Sequence, residues 1–306
     1  MTHPIPLQDA PDALREAMAD IGPRWHHDIA AASLLVRNTY APLHAGMDKG
    51  HARVLRDLRY GEHERHRLDV FVPNDVAPGA PVVVFVHGGA FIRGEKTGPD
   101  GLYDNVLYWF ARQGFVGVNL TYRLAPEAVF PGATQDIAAA IDWVHAHIAE
   151  HGGDPARMSL IGHSAGGTHV ASYVFDPLLG YLGRHLAATV LISARLRADR
   201  SPENPNAHGV AAYFGEDFAV YDRRSPMTHA ACSDLPTFIV AAEFENPLLD
   251  VYALEFAHRL AVARRRAPRF LMLPRHNHTS IMAHMNTGED LLGRHIVDFL
   301  QEAGAA

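Results

Sequence analysis

The pattern of apolar and polar positions changes character at residue 81. Before it, Leu14, Met18 and Ile21 recur at helical spacing, and Ile29 to Val36 forms a second apolar run. Residues 8–48 therefore predict helical and mixed structure. Residues 53–60 and 66–72 alternate on either side of Gly61-Glu62-His63, which predicts an antiparallel hairpin. From residue 81 the strands read as continuous apolar runs. Val82 to Val86 has no polar position at all, as expected of a strand buried on both faces. Helical and strand-like stretches then take turns: helix 103–113, strand 115–120, helix 134–150, strand 158–161, helix 168–175 and strand 187–192. An irregular stretch, 195–232, is rich in Pro, Asn and Arg. Strand 237–242, helix 248–263, strand 270–273 and helix 289–301 close the chain. Such alternation predicts an α/β protein with a mainly parallel central sheet and helices on both faces.

One junction in this pattern carries chemistry. Strand 158–161 runs into Gly162-His163-Ser164-Ala165-Gly166-Gly167, and a helix-compatible stretch follows. Strand, tight turn and helix form the context in which G-x-S-x-G marks a nucleophile. The glycines let backbone pass close by while Ser164 is held strained at the apex, in front of a helix N-terminus that favours an oxyanion. A serine hydroxyl needs a base and an acid to orient that base. Both are available on loops after later strands. Glu243-Phe244-Glu245-Asn246-Pro247 follows strand 237–242, and His276-Asn277-His278 follows strand 270–273. A dinucleotide-binding protein would share the strand–helix rhythm, but the first strand ends in His87-Gly88-Gly89-Ala90-Phe91 and not in G-x-G-x-x-G.

Composition narrows the setting. The 306 residues are 48% hydrophobic and 20% charged, enough for a large core. The net charge of −7 and the lack of a basic block argue against nucleic acid or an anionic membrane as partner. A single cysteine, Cys232, excludes an intrachain disulfide and suits a reducing compartment. No signal-like N-terminus or bilayer-length apolar run occurs, so the expectation is a cytoplasmic protein. The 21 histidines are scattered, and only His276-x-His278 has a spacing that suits a metal. No metal and no cofactor are expected.

His87-Gly88-Gly89-Ala90-Phe91, Tyr122-Arg123-Leu124-Ala125-Pro126-Glu127 and Gly162-His163-Ser164-Ala165-Gly166-Gly167 resemble the hormone-sensitive-lipase-like branch of the α/β-hydrolases. Glu245-Asn246-Pro247 and Asn277-His278 more resemble the related esterase and kynurenine formamidase group. The likeness covers about residues 55–300. It implies an α/β-hydrolase fold in a single domain, 1–306. The N-terminal segment, 1–50, and an insertion, 195–232, would form a small cap over the site. It also implies Ser164 as nucleophile, His278 as base and Glu245 as acid, with the backbone N–H groups of Gly89, Ala90 and Ala165 as oxyanion hole. In the lipase branch the acid position is occupied here by Asn246, which leaves Asp250 as the alternative to Glu245. His276 lies beside Arg275, whose charge disfavours an imidazolium, and reads as a hydrogen-bonded loop residue. Arg123 and Glu127 are expected to pair under the site, and Asp136 to lie on a helix face or bind a loop. The arginines of the insertion read as a solvated, carboxylate-paired face. The function implied is a carboxylic ester hydrolase acting on a small or medium-sized ester. An arylformamidase or amidase would use the same residues, and a non-catalytic hydrolase-like receptor is the third reading. The partner is then a small-molecule ester or amide, and homo-oligomerisation is left open.

Overall fold

A computed structural model describes residue 7 and residues 10–98 and 101–306. The first six residues, with 8 and 9, belong to the expected N-terminal cap segment but lie outside the described residues. Helices α1 (Asp12–Ile21) and α2 (Ile29–Gly46) precede a hairpin of strands β1 (Ala52–Arg59) and β2 (Arg67–Pro73). Strands and helices then alternate as β3 (Ala80–Val86), α3 (Leu102–Arg112), β4 (Val116–Leu120), α4 (Gly132–His147), β5 (Gly153–His163), α5 (Ala165–Phe175) and β6 (Ala188–Ile192). Two short helices, α6 (Ala207–Phe214) and α7 (Tyr221–Arg224), occupy the stretch expected to be irregular. The chain ends with β7 (Thr237–Phe244), α8 (Leu249–Arg264), β8 (Arg269–Asn277), α9 (Ser280–Ala283) and α10 (Leu291–Glu302).

The eight strands form one sheet in the order β1-β2-β4-β3-β5-β6-β7-β8. β1 and β2 pair antiparallel, β2 joins β4 antiparallel, and every other pairing is parallel. The continuous apolar runs explain the parallel centre, because such a strand must be covered on both faces. Val82, Val84 and Val86 of β3 point into a core with α4, α5, α6 and α8. Val83 and Phe85 point the other way, into a core with α1, α2, α3, α9 and α10.

The topology decides where a site can form. After β3 the chain moves to one side for β4, then crosses back to place β5 on the other side of β3. At such a switch point the loops leaving the strand ends part and open a crevice. The loop after β3 and the β5–α5 junction, the two motif-bearing turns, face each other there.

Candidate active site

Ser164 stands between β5 and α5 with φ 56° and ψ −122°, a region that costs a non-glycine residue on the order of 1–3 kcal/mol. The turn closes this tightly only because residue 166 is glycine: a Cβ there would lie 2.3 Å from the Val86 carbonyl oxygen and 2.4 Å from that of His87. The Ser164 N–H is held by the Ile192 carbonyl at 3.0 Å. These contacts fix the serine side chain in front of α5. Ala165 is the first residue of that helix, so its N–H has no carbonyl one turn back.

Both later loops converge on this serine. His278 Nε2 lies 3.0 Å from Ser164 Oγ, and His278 Nδ1 lies 2.7 Å from Glu245 Oε2. A carboxylate can only accept, so Nδ1 carries the imidazole proton and the Nε2 lone pair faces the serine hydroxyl. Glu245 also accepts from the Ala242 N–H at 2.9 Å and the Asn246 N–H at 3.2 Å. Burial pushes its carboxyl pKa up, but the charge and hydrogen bond of His278, with the Ala242 N–H, outweigh this and leave it below the usual value. Glu245 is therefore an ionised group held beside the imidazole. Asp250 lies in the first turn of α8, and Glu243 turns outward to accept from the Arg275 N–H at 2.6 Å.

The loop that carries His278 is built by its own side chains. β8 continues to Asn277, further than the expected end at residue 273, because Asn277 pairs with Phe244 beyond a register shift in β7. Asn277 Oδ1 then accepts from the N–H groups of Thr279 at 3.1 Å and Ser280 at 2.9 Å. This local turn offers the His278 side chain to the crevice. His276 lies in the strand, not in the loop, and binds Glu289 at 3.0 Å, away from the serine.

Several residues that the motifs do not single out support the site. His163 Nε2 lies 3.1 Å from the His278 carbonyl oxygen, and its Nδ1 lies 3.1 Å from the Tyr103 hydroxyl. Burial, then the nearby charge of His278, holds the His163 imidazole well below its ordinary pKa, so it carries one ring proton. The carbonyl can only accept, hence Nε2 donates, Tyr103 donates to Nδ1, and the Tyr103 oxygen accepts from the Gly88 N–H at 3.1 Å. One directed chain of hydrogen bonds thus joins the loop after β3, the elbow and the loop that carries His278. Asn246, at the position of the lipase-branch acid, accepts from the Trp25 indole at 3.0 Å and ties the N-terminal segment to the loop that carries Glu245. From the insertion, α6 packs on the loop after β3 so closely that a Cβ at Gly209 would sit 2.0 Å from the Ala90 carbonyl oxygen. Periodicity reveals none of these contacts, since each joins residues far apart in sequence.

Two further expectations are corrected. Arg123 pairs with Asp136 at 2.6 Å, and Glu127 with His63 at 2.9 Å; Arg123 and Glu127 do not pair with each other. Asp136 on α4 takes both the Arg123 backbone N–H and its guanidinium, because a buried carboxylate needs a donor set that Glu127, at the surface, does not. The insertion arginines are not uniformly solvated. Arg200 and Glu216 pair near the surface, but Arg195 is buried against Asp199 at 2.5 Å. Elsewhere in the insertion, Tyr213 and Phe214 are core residues packed on Phe91 and Phe130, and Phe218 is exposed.

A family model described as BD-FAE matches residues 68–176. Among solved structures, a bacterial heroin esterase shares 24% identity over 95% of this chain and 96% of its own, with a TM-score of 0.69. A hyperthermophilic esterase from Pyrobaculum calidifontis shares 21% over 99% and 100%, also at 0.69. The chain has the α/β-hydrolase fold. Curated relatives include a probable isoprenylcysteine alpha-carbonyl methylesterase of Oryza sativa subsp. japonica. It is 39% identical over 40% of this chain and 27% of its own length. An esterase of Mycobacterium tuberculosis is 28% identical over 87% of this chain and 61% of its length. The chain thus spans about a quarter of the first curated relatives it matches. No helix among the described residues is long and apolar enough to cross a membrane.

Proposed function

We propose that the protein is a serine-dependent carboxylic ester hydrolase with Ser164 as nucleophile, His278 as base and Glu245 as acid. The observation that carries this reading is the unbroken hydrogen-bonded line from Ser164 Oγ through both ring nitrogens of His278 to Glu245. Ser164 attacks the ester carbonyl as its proton passes to His278 Nε2. The ionised Glu245 stabilises the imidazolium that forms. The tetrahedral oxyanion takes hydrogen bonds from the N–H groups of Gly89, Ala90 and Ala165. His278 then gives its proton to the departing alcohol, leaving an acyl-Ser164. Water, deprotonated by the same nitrogen, releases the acid and restores the serine. No metal or cofactor takes part in these steps.

The esterase names carried by the curated relatives and by the structural neighbours support the ester as substrate class. The N-terminal segment, tied on through Trp25, and the insertion, through α6, would bound the acyl and leaving-group sides of the crevice. The exposed lone thiol of Cys232 fits a reducing compartment.

Nitrophenyl esters of graded acyl length, run beside N-formylkynurenine with wild type and Ser164→Ala, test the proposal. Turnover of the shorter esters that vanishes in Ser164→Ala is the expected result. Turnover that survives in Ser164→Ala would overturn it, and a preference for the formamide would move the substrate class to amides.

A further inference from the structure

Behind the base loop lies a second cluster that the hydrolytic reading does not use. His276, at the end of β8, His284, just after α9, and Glu289 each bring one ligand atom to within 4.8 Å of the others. The segment between His276 and His284 carries His278. The cluster therefore grips both ends of the base loop on the side away from Ser164.

The hydrogen bonds here leave a buried ring nitrogen without a partner. His284 is fully buried, and its Nδ1 lies 3.0 Å from the Ser280 carbonyl oxygen. That oxygen can only accept, so Nδ1 carries the proton and Nε2 is a bare acceptor; no described group donates to it. Glu289 takes His276 Nε2 on Oε1 at 3.0 Å, and the Leu7 backbone N–H also lies against its carboxylate. A buried ring nitrogen with no donor, His284 Nε2, set beside the Glu289 carboxylate is costly unless a cation or a bridging donor lies between them.

We propose that His276, His284 and Glu289 bind one divalent transition-metal ion of the zinc class, which clamps the loop that presents His278. Two imidazoles and a carboxylate form a usual donor set for such an ion, with a water as fourth ligand. The surroundings already have the form of an outer ligand shell. The Ser280 carbonyl orients His284 through its far nitrogen, as backbone carbonyls do for metal-bound histidines. The Ser280 hydroxyl lies 3.1 Å from His276 Nδ1. On binding, the His276 proton shifts from Nε2 to Nδ1 and donates to this hydroxyl, so the ring offers Nε2 without a net change in protons. Ligand bonds of about 2.1 Å place ligand atoms roughly 3.4 Å apart, so the His276–Glu289 pair, now at 3.0 Å, opens slightly and His284 closes by up to about 1.4 Å. The ion holds the two loop ends together and takes no part at Ser164.

The test uses the full-length protein, stripped with a strong chelator and dialysed, then titrated with ZnCl2. One equivalent of zinc per chain by elemental analysis, with a Tm rise of about 3–8 °C at saturation, is expected. His284→Ala and Glu289→Gln should bind less than about a fifth of an equivalent and show no Tm rise. Since a buried substitution can fail to fold, cobalt(II) is added to the stripped wild type as well. Intense visible absorption of tetrahedral cobalt, displaced by zinc, is the expected result. No zinc above background with an unchanged Tm would assign the cluster to a bridging water and overturn the proposal. Equal binding in folded His284→Ala and wild type would place the ion elsewhere and do the same.

Discussion

At the scale of single residues, the site depends on the direction of each proton. Glu245→Gln keeps the side-chain volume but removes the charge that supports the imidazolium, and its amide would present the wrong hydrogen-bonding group to Nδ1. We expect kcat to fall on the order of 10²–10⁴-fold with the fold intact. Asp250→Asn, by contrast, should change kcat by less than about threefold, because the contact to His278 Nδ1 is made by Glu245. The reverse ranking in steady-state kinetics would transfer the acid role to Asp250. Tyr103→Phe removes the hydroxyl that links the Gly88 N–H to His163. It should lower kcat roughly tenfold and KM little, since it loosens donors that act in the transition state more than in substrate binding. A change confined to KM would show that Tyr103 only shapes the pocket.

At the scale of elements, the insertion reaches the chemistry through one helix. α6 rests on the Ala90 carbonyl at Gly209, and alanine there would improve helix propensity while forcing the loop after β3 away. Gly209→Ala should therefore cost about 10–100-fold in kcat while Tm, read by circular dichroism, moves by only a few degrees. A larger loss of Tm than of activity would make this packing a matter of stability alone. The same helix shows where legibility in the sequence ends. The parallel centre of the sheet could be read from Val82 to Val86, because burial on both faces leaves no alternation. The elbow was visible for a local reason too, as strand, Gly, Ser and helix are neighbours in the chain. α6 was hidden because eight residues flanked by Pro and Asn give too short a period to detect. The Arg123–Asp136 and Trp25–Asn246 contacts were hidden because partner choice depends on burial and on where loops meet, which spacing does not encode. Glu245 was legible only through its resemblance to a spacing. Nothing in its own charge separates it from Glu243, and only the direction in which each side chain points at the C-terminal end of β7 does.

At the scale of the whole molecule, buried neutral histidines set the acid limit. Burial lowers His87 and His169 to about 3 and holds His163 well below its ordinary value. Each can take up a proton when unfolded, near pH 6.5, but resists it when folded. Stability is then fully present above about pH 6.5 and is lost as pH falls toward the folded values. The slope approaches about 1.4 kcal/mol per pH unit for each histidine. Ionised Glu245 acts in the same sense, contributing above its unfolded pKa and losing that contribution at lower pH. Urea midpoints should therefore be level from pH 8 to 7 and drop steadily from 6.5 to 4.5. A level profile down to pH 4.5 would mean that these rings reach water or partners in the folded state. The central claim, however, is that one serine carries the chemistry, and a covalent probe reads this most directly. Treatment with a dialkyl nitrophenyl phosphate, followed by intact-mass and peptide mass spectrometry, should show one phosphoryl adduct per chain, on Ser164, appearing in step with loss of esterase turnover. Turnover that persists without an adduct, or that is lost with the adduct on another residue, would contradict the account.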